Sequence, residues 1–187
     1  MSSIKLKHSS GNGVSITAPE SNPAADRTLY VPSTANGTIR TTTTPGAILQ
    51  VKIATLGSSL NASSTSWADV GLSDTITLAS TSNKLLISVS MSPYLDGGSE
   101  QRFGMRILVT PSGGSSTVVI QDDYWCYRTD GDWKATADHH QALYSPSSTA
   151  ELTVKAEYIR YGGNSDNVQI FSNATSTNTL LLQEVAG

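Results

Sequence analysis

Residues 103–109 read FGMRILV, which sets Phe103, Met105, Ile107 and Val109 on one side of an extended chain and Arg106 on the other. A period of two is the mark of a strand with one face in a core. Residues 85–91, LLISVSM, repeat it with Leu85, Ile87, Val89 and Met91. Pro111-Ser112-Gly113-Gly114 supplies a turn into a further extended run, Thr117–Gln121. Working outward, the spacing predicts strands over Ile48–Thr55, Thr75–Leu78, Tyr124–Arg128, His139–Tyr144, Leu152–Tyr158, Val168–Ser172 and Leu180–Val185. In the first of these Leu49, Val51 and Ile53 are expected inward, and Ile76 and Leu78 in the second. Pro93 is expected to end the 85–91 strand. No stretch combines a 3.6-residue apolar period with a cap, so no helix is expected.

From Ile48 onward this gives about nine or ten strands, near the eight of a jelly roll with one or two added edges. The fold class expected is all-β, a jelly-roll-like antiparallel β-sandwich. Composition agrees. Ser and Thr make up about a quarter of the 187 residues, and branched Thr packs well on a pleated surface.

Ahead of the sandwich, residues 1–45 read as an extended β-hairpin arm, with 46–187 as the C-terminal domain. Ile4 and Leu6 alternate with Lys5 and Lys7, and Val14 and Ile16 repeat the alternation after Gly11-Asn12-Gly13. Asn12-Gly13 carries the positive φ angles of a tight turn. Leu29 and Val31 belong to a second short run before Pro32, and Thr41–Pro45 forms the joint. A lone pair of strands is marginal in water, so the arm is expected to pair with other copies or with a larger particle.

Several function classes are excluded or left without support. Lys and Arg total 12 against 15 acidic residues, and the sequence pI is about 5.5, so no nucleic-acid partner is expected. No stretch approaches the ~20 apolar residues of a membrane helix, so no membrane insertion is expected, and no secretory leader is read. Cys126, the one cysteine, allows no internal disulfide and reads as a small buried hydrophobe between Trp125 and Tyr127.

Reactive residue types concentrate in 122–140: Asp122, Asp123, Asp130, Asp132, Asp138, His139 and His140, with Tyr124, Trp125, Tyr127 and Trp133 among them. Adjacent His139 and His140 on a strand point to opposite faces and do not share one ion. Asp130-Gly131-Asp132 lacks the spacing of a calcium loop. No carboxylate spacing singles out a glycosidase pair, and no nucleophile elbow is present. No catalytic residue, metal or cofactor is therefore assigned, and the protein is expected to be no enzyme. Trp133 with Asp130 and Asp132 is the candidate for a host surface glycan, whereas Trp125 and Tyr127 suit a core or a subunit interface. Leu180, Leu181 and Leu182 make both faces of the last strand apolar. That pattern fits either an oligomer interface or a strand at the centre of a monomeric sandwich.

The N-terminal segment resembles the opening module of virion structural proteins of tailed phages, of the marine and cyanobacterial kind. The resemblance rests on Leu6-Lys7-His8, Gly11–Val14, Ala18-Pro19, Leu29–Ser33 and Gly37. Residues 63–91, SSTSWADVGLSDTITLASTSNKLLISVSM, and the closing NTLLLQEV resemble the C-terminal domain of the same proteins. Together these cover roughly half the chain, while Tyr94–Asn164 departs from the pattern. The resemblance implies a non-enzymatic capsid decoration protein, head fibre or short tail fibre, attached through its arm to other capsid, collar or tail proteins. It also implies a homotrimer located in the virion and assembled in the host cytoplasm. A lectin-like, receptor-binding module is the alternative.

Overall fold

The computed structural model describes residues 3–7, 13–17, 45–95, 101–128, 134–135, 137–161, 168–170 and 178–187. The chain divides into two units, Met1–Ile39 and Arg40–Gly187.

In the first unit β1 (Ser3–Lys7) pairs antiparallel with β2 (Gly13–Thr17). The register sets Ile4 opposite Ile16 and Leu6 opposite Val14. Gly13 is a ladder residue opposite Lys7, and the connection between them, Asn12 included, lies outside the described residues. Leu29 and Val31 lie outside the described residues.

The second unit is built from β3 (Ile48–Thr55), β4 (Leu60–Asn61), β5 (Ala68–Ile76), β6 (Lys84–Met91), β7 (Pro93–Leu95), β8 (Gln101–Pro111), β9 (Thr117–Arg128), β10 (Lys134–Ala135), β11 (Asp138–Tyr144), β12 (Leu152–Tyr161), β13 (Val168–Ile170) and β14 (Thr179–Val185). All pairings are antiparallel. Two four-stranded sheets, in the orders β11-β6-β14-β3 and β5-β12-β8-β9, form a β-sandwich, and a third, β10-β7-β13-β4, adds Leu95, Val168 and Ile170 to the same core. The alternation read from sequence fills that core. Leu85, Ile87, Val89 and Met91 of β6 meet Phe103, Met105, Ile107 and Val109 of β8, all of them buried.

Three expectations need correction. Twelve strands follow Ile48 among the described residues, because β4, β7 and β10 are too short to show a period. Pro93 ends the 85–91 strand as expected, β6 stopping at Met91, and itself opens β7 at the first strand position, where a missing N–H is tolerated. The runs 117–121 and 124–128 are one strand, β9.

The third correction concerns β3. Val51 is 49% exposed and Ile53 62%, against the inward placement expected for them. Pairing with β14 decides this. Leu180, Leu182 and Glu184 are buried, and their partners across the ladder are Ala54, Lys52 and Gln50. The polar set of β3 therefore shares the inner side, and the apolar set faces out. Lys52 is tolerated there because β3 is an edge strand, and Gln50 donates through Nε2 to Glu184 Oε2 and to the Thr77 carbonyl, both at 2.6 Å. The same register divides the leucine triplet. Leu180 and Leu182 are core residues of a strand flanked by β6 and β3, and of the three only Leu181 is turned outward.

Polar anchors hold both ends of β14. Glu184, buried, accepts the Ala79 N–H at 2.6 Å and Asn83 Nδ2 at 2.5 Å on Oε1. Asn178, also buried, accepts the Ser92 N–H on Oδ1 at 2.7 Å, and its carbonyl accepts the Leu56 N–H. Buried acceptors so supplied avoid the desolvation cost of an unpaired group.

Candidate functional site

The site grows from a bulge in β9. Phe103 pairs with Cys126 and Met105 with Asp122, so the single residue Gly104 on β8 faces three on β9, Asp123, Tyr124 and Trp125. Glycine relieves a crowded spot there. A Cβ on Gly104 would stand 3.0 Å from Ile159 Cγ2, 3.1 Å from Tyr161 Cε2 and 3.2 Å from the Asp122 carbonyl oxygen. The extra residues let β9 fold over β8, and Asp122 Oδ1 accepts the Tyr124 N–H at 2.8 Å to hold the bend. An isolated glycine in a strand pattern is the sequence signal for such an approach, and Gly104 carried it.

The bulge breaks the alternation of side chains. Trp125 and Cys126 are both buried, while Asp123, Tyr124 and Tyr127 reach the outer surface. On the inner side His140 stacks on Trp125, with ring centroids 4.1 Å apart and planes 29° apart. Its Nε2 lies 3.6 Å from Asp122 Oδ2 and 3.6 Å from Asp138 Oδ2, an ion pair when the ring is protonated. His139 points the other way, as its position on a strand requires, and its Nδ1 hydrogen-bonds Ser90 Oγ at 2.8 Å. The pair thus serves two faces of one sheet. Among the described residues no group of three or more His, Cys, Asp or Glu side chains is placed to hold a metal ion.

On the outer side Tyr127, Arg102 and Tyr161 form one row across β9, β8 and β12. The Arg102 guanidinium carbon lies 5.0 Å from the ring centroids of both Tyr124 and Tyr161, and Nη1 donates to the Tyr124 hydroxyl at 2.7 Å. Tyr124 and Tyr127 meet edge to face at 5.9 Å. The Tyr161 hydroxyl donates to Asp123 Oδ1 at 3.1 Å, and the same oxygen accepts Gln121 Nε2 at 3.2 Å. Burial, then the hydrogen bond to Asp123 and its charge, raise the Tyr161 pKa above its ordinary value. The phenol stays neutral and donating across the physiological range.

Of the residues singled out from sequence, the structure brings together Asp122, Trp125, Asp138 and His140 on the inner side, and places Trp125 in the core. Asp130, Asp132 and Trp133 lie outside the described residues. Arg102 and Tyr161 carried no sequence signal, because their neighbours stand on strands far along the chain.

The fold and these surfaces define a jelly-roll-like β-sandwich protein whose distinctive side chains stand on sheet faces. No known family profile matches the chain, and no curated protein matches it. Solved structures that match include the infectious bursal disease virus Gx strain, at 13% identity and a TM-score of 0.47, over 92% of this chain and 42% of that one. The Gt strain matches at 15% identity and a TM-score of 0.41, over 95% of this chain and 48% of that one. The VP2 subviral particle of the same virus matches at 14% identity and a TM-score of 0.38, with coverage of 95% and 48%. The chain spans less than half the length of each of these structures.

Proposed function

We propose that the chain is a non-enzymatic virion structural protein of a tailed phage, a capsid decoration protein, head fibre or short tail fibre component. One observation carries the reading. The outer side of the sheet β11-β6-β14-β3 exposes Ile48, Val51, Ile53 and Leu143, and Leu86, Leu181 and Val185 lie half-buried on the same side. An apolar sheet face of this kind is the surface a protein keeps covered by assembly. The resemblance of the N-terminal segment to phage virion modules supports attachment through residues 1–45, and the separate β1–β2 hairpin suits strand pairing with neighbouring chains. Three copies joined in this way would hold to the particle by avidity.

The test is incorporation. A chain lacking residues 1–45 should stay soluble, keep the β-type circular dichroism of the full chain and be missing from purified particles. Its presence in particles at the full chain's level would refute the arm's role. Light scattering of the full-length protein should give the mass of a trimer; a monomer would remove the trimeric appendage from the reading.

A further inference from the structure

Among the described residues, Arg102 on β8 and Asp123 on β9 have hydrogen-bonding capacity left unused. Arg102 has five N–H donors and, among the described residues, spends one, on the Tyr124 hydroxyl. Among the described residues Asp123 takes its two side-chain hydrogen bonds, from Tyr161 and Gln121, on Oδ1, so Oδ2 is left to accept another. Tyr124 is 58% exposed, although an aromatic ring of its size gains by burial. The row from Tyr127 to Tyr161 spans two strand spacings, about 10 Å, which is the span of a disaccharide. These groups stand on paired strands, and Gly104 fixes the bulge that presents them.

We propose that Tyr124, Tyr127 and Tyr161, with Arg102 and Asp123, form a binding site for a neutral pyranose glycan. Tyrosine rings offer flat apolar surface to the C–H face of a sugar, while the guanidinium donates to, and the carboxylate accepts from, adjacent hydroxyls. Charge selects the class. Arg102 and Asp123 cancel within the site, which favours a neutral sugar over a sulfated or uronic one. With so few ligand atoms in contact, affinity for a monosaccharide falls on the order of 1 mM.

The experiment titrates the full chain, labelled with nitrogen-15, with methyl glucoside, methyl galactoside, methyl mannoside, lactose and maltose, and separately with glucuronate. Saturable amide shifts confined to β8, β9 and the end of β12 are expected with at least one neutral sugar. Tyr124→Ala should weaken that binding ~tenfold or more, a loss of about 1.4 kcal/mol. Tyr124→Phe, which keeps the ring, should retain it, and Asp123→Asn should weaken it without moving the thermal midpoint. Absence of saturable shifts with every neutral sugar overturns the proposal. So does Tyr124→Ala binding as the wild type does, or glucuronate binding more tightly than the neutral sugars. None of these outcomes touches the assembly reading, which stands or falls on particle incorporation.

Discussion

The two outward faces of the sandwich are built from the same pleated geometry and carry opposite chemistry. On the sheet β11-β6-β14-β3, two central rows across the strands read Leu143, Leu86, Gln183, Val51 and Gln141, Ser88, Leu181, Ile53, apolar groups, carboxamides and one hydroxyl with no charge among them. On the sheet β5-β12-β8-β9 the rows are ionic and aromatic. Arg106 places Nε and Nη2 at 2.9 and 2.6 Å from Glu157 Oε2 and lies 4.5 Å from the centroid of Trp67, and Lys155 Nζ lies 2.7 Å from Glu157 Oε1. One face has spare apolar area and few directional groups, which suits another protein surface. The other has directional groups already organised by their neighbours, which suits water or a polyhydroxylated ligand. The decoration role proposed above would use both, one side turned to the assembly and one to the medium.

The contrast is tested most strongly within the leucine triplet. Leu182→Ala should lower stability by about 2–5 kcal/mol, because it leaves a cavity between the sheets, whereas Leu181→Ala on the outer face should cost well under half of that. Chemical denaturation of the two variants decides. Equal losses would mean that β14 is covered on both sides in the isolated protein. Next in size, Glu184→Ala strands the donors of Ala79, Asn83 and Gln50 and should cost about 2–3 kcal/mol, a fall of roughly 4–12 °C in the thermal midpoint. A change below 1 kcal/mol would show that water replaces the carboxylate.

How much of this was legible depended on whether a residue's role is local or set by its partner strand. The core faces of β6 and β8 could be read directly, since Leu85 to Met91 and Phe103 to Val109 alternate with no interruption. The alternation of β3 was equally regular and pointed the wrong way. Its apolar set could have faced either side, and register with Leu180, Leu182 and Glu184 fixed the choice across more than a hundred residues of chain. The candidate site was half legible for the same reason. Asp122–Tyr127 stood out by composition, but two extra residues in the β9 bulge re-aim them, and Arg102 and Tyr161 come from two other strands. Gly71 marks a second case. Its positive φ of 87° and the Asp69 carboxylate accepting its N–H at 2.7 Å make a bulge in β5, where sequence alternation alone indicated only the shorter run 75–78.

On the ionic face, Glu157→Gln should cost about 1–2 kcal/mol at neutral pH. Burial alone would push the Glu157 pKa up, but hydrogen bonds from Lys155 and Arg106 and their charges outweigh it and hold the pKa below the ordinary 4.5. The unfolded chain therefore takes up the proton first as the pH falls. The stabilisation is complete above 4.5 and is lost as the pH drops through the lower folded value, so wild type and Glu157→Gln should converge in acid. A difference that stays constant from neutral to acid pH would mean that the carboxylate's charge contributes nothing.

The smallest effect on folding is expected on the apolar face, and it discriminates best. Ile53→Lys replaces a side chain that is 62% exposed on an edge strand, so the stability of the fold should change by no more than about 0.5 kcal/mol. Self-association and incorporation into particles should nevertheless fall, because a charge placed in a covered apolar contact must be desolvated without a partner. Arg106→Gln serves as its counterpart on the other sheet, altering the ionic rows and leaving association unchanged. If both variants associate like the wild type, the apolar face is solvent-facing, and the division of labour between the two sheets fails even though the sandwich itself stands.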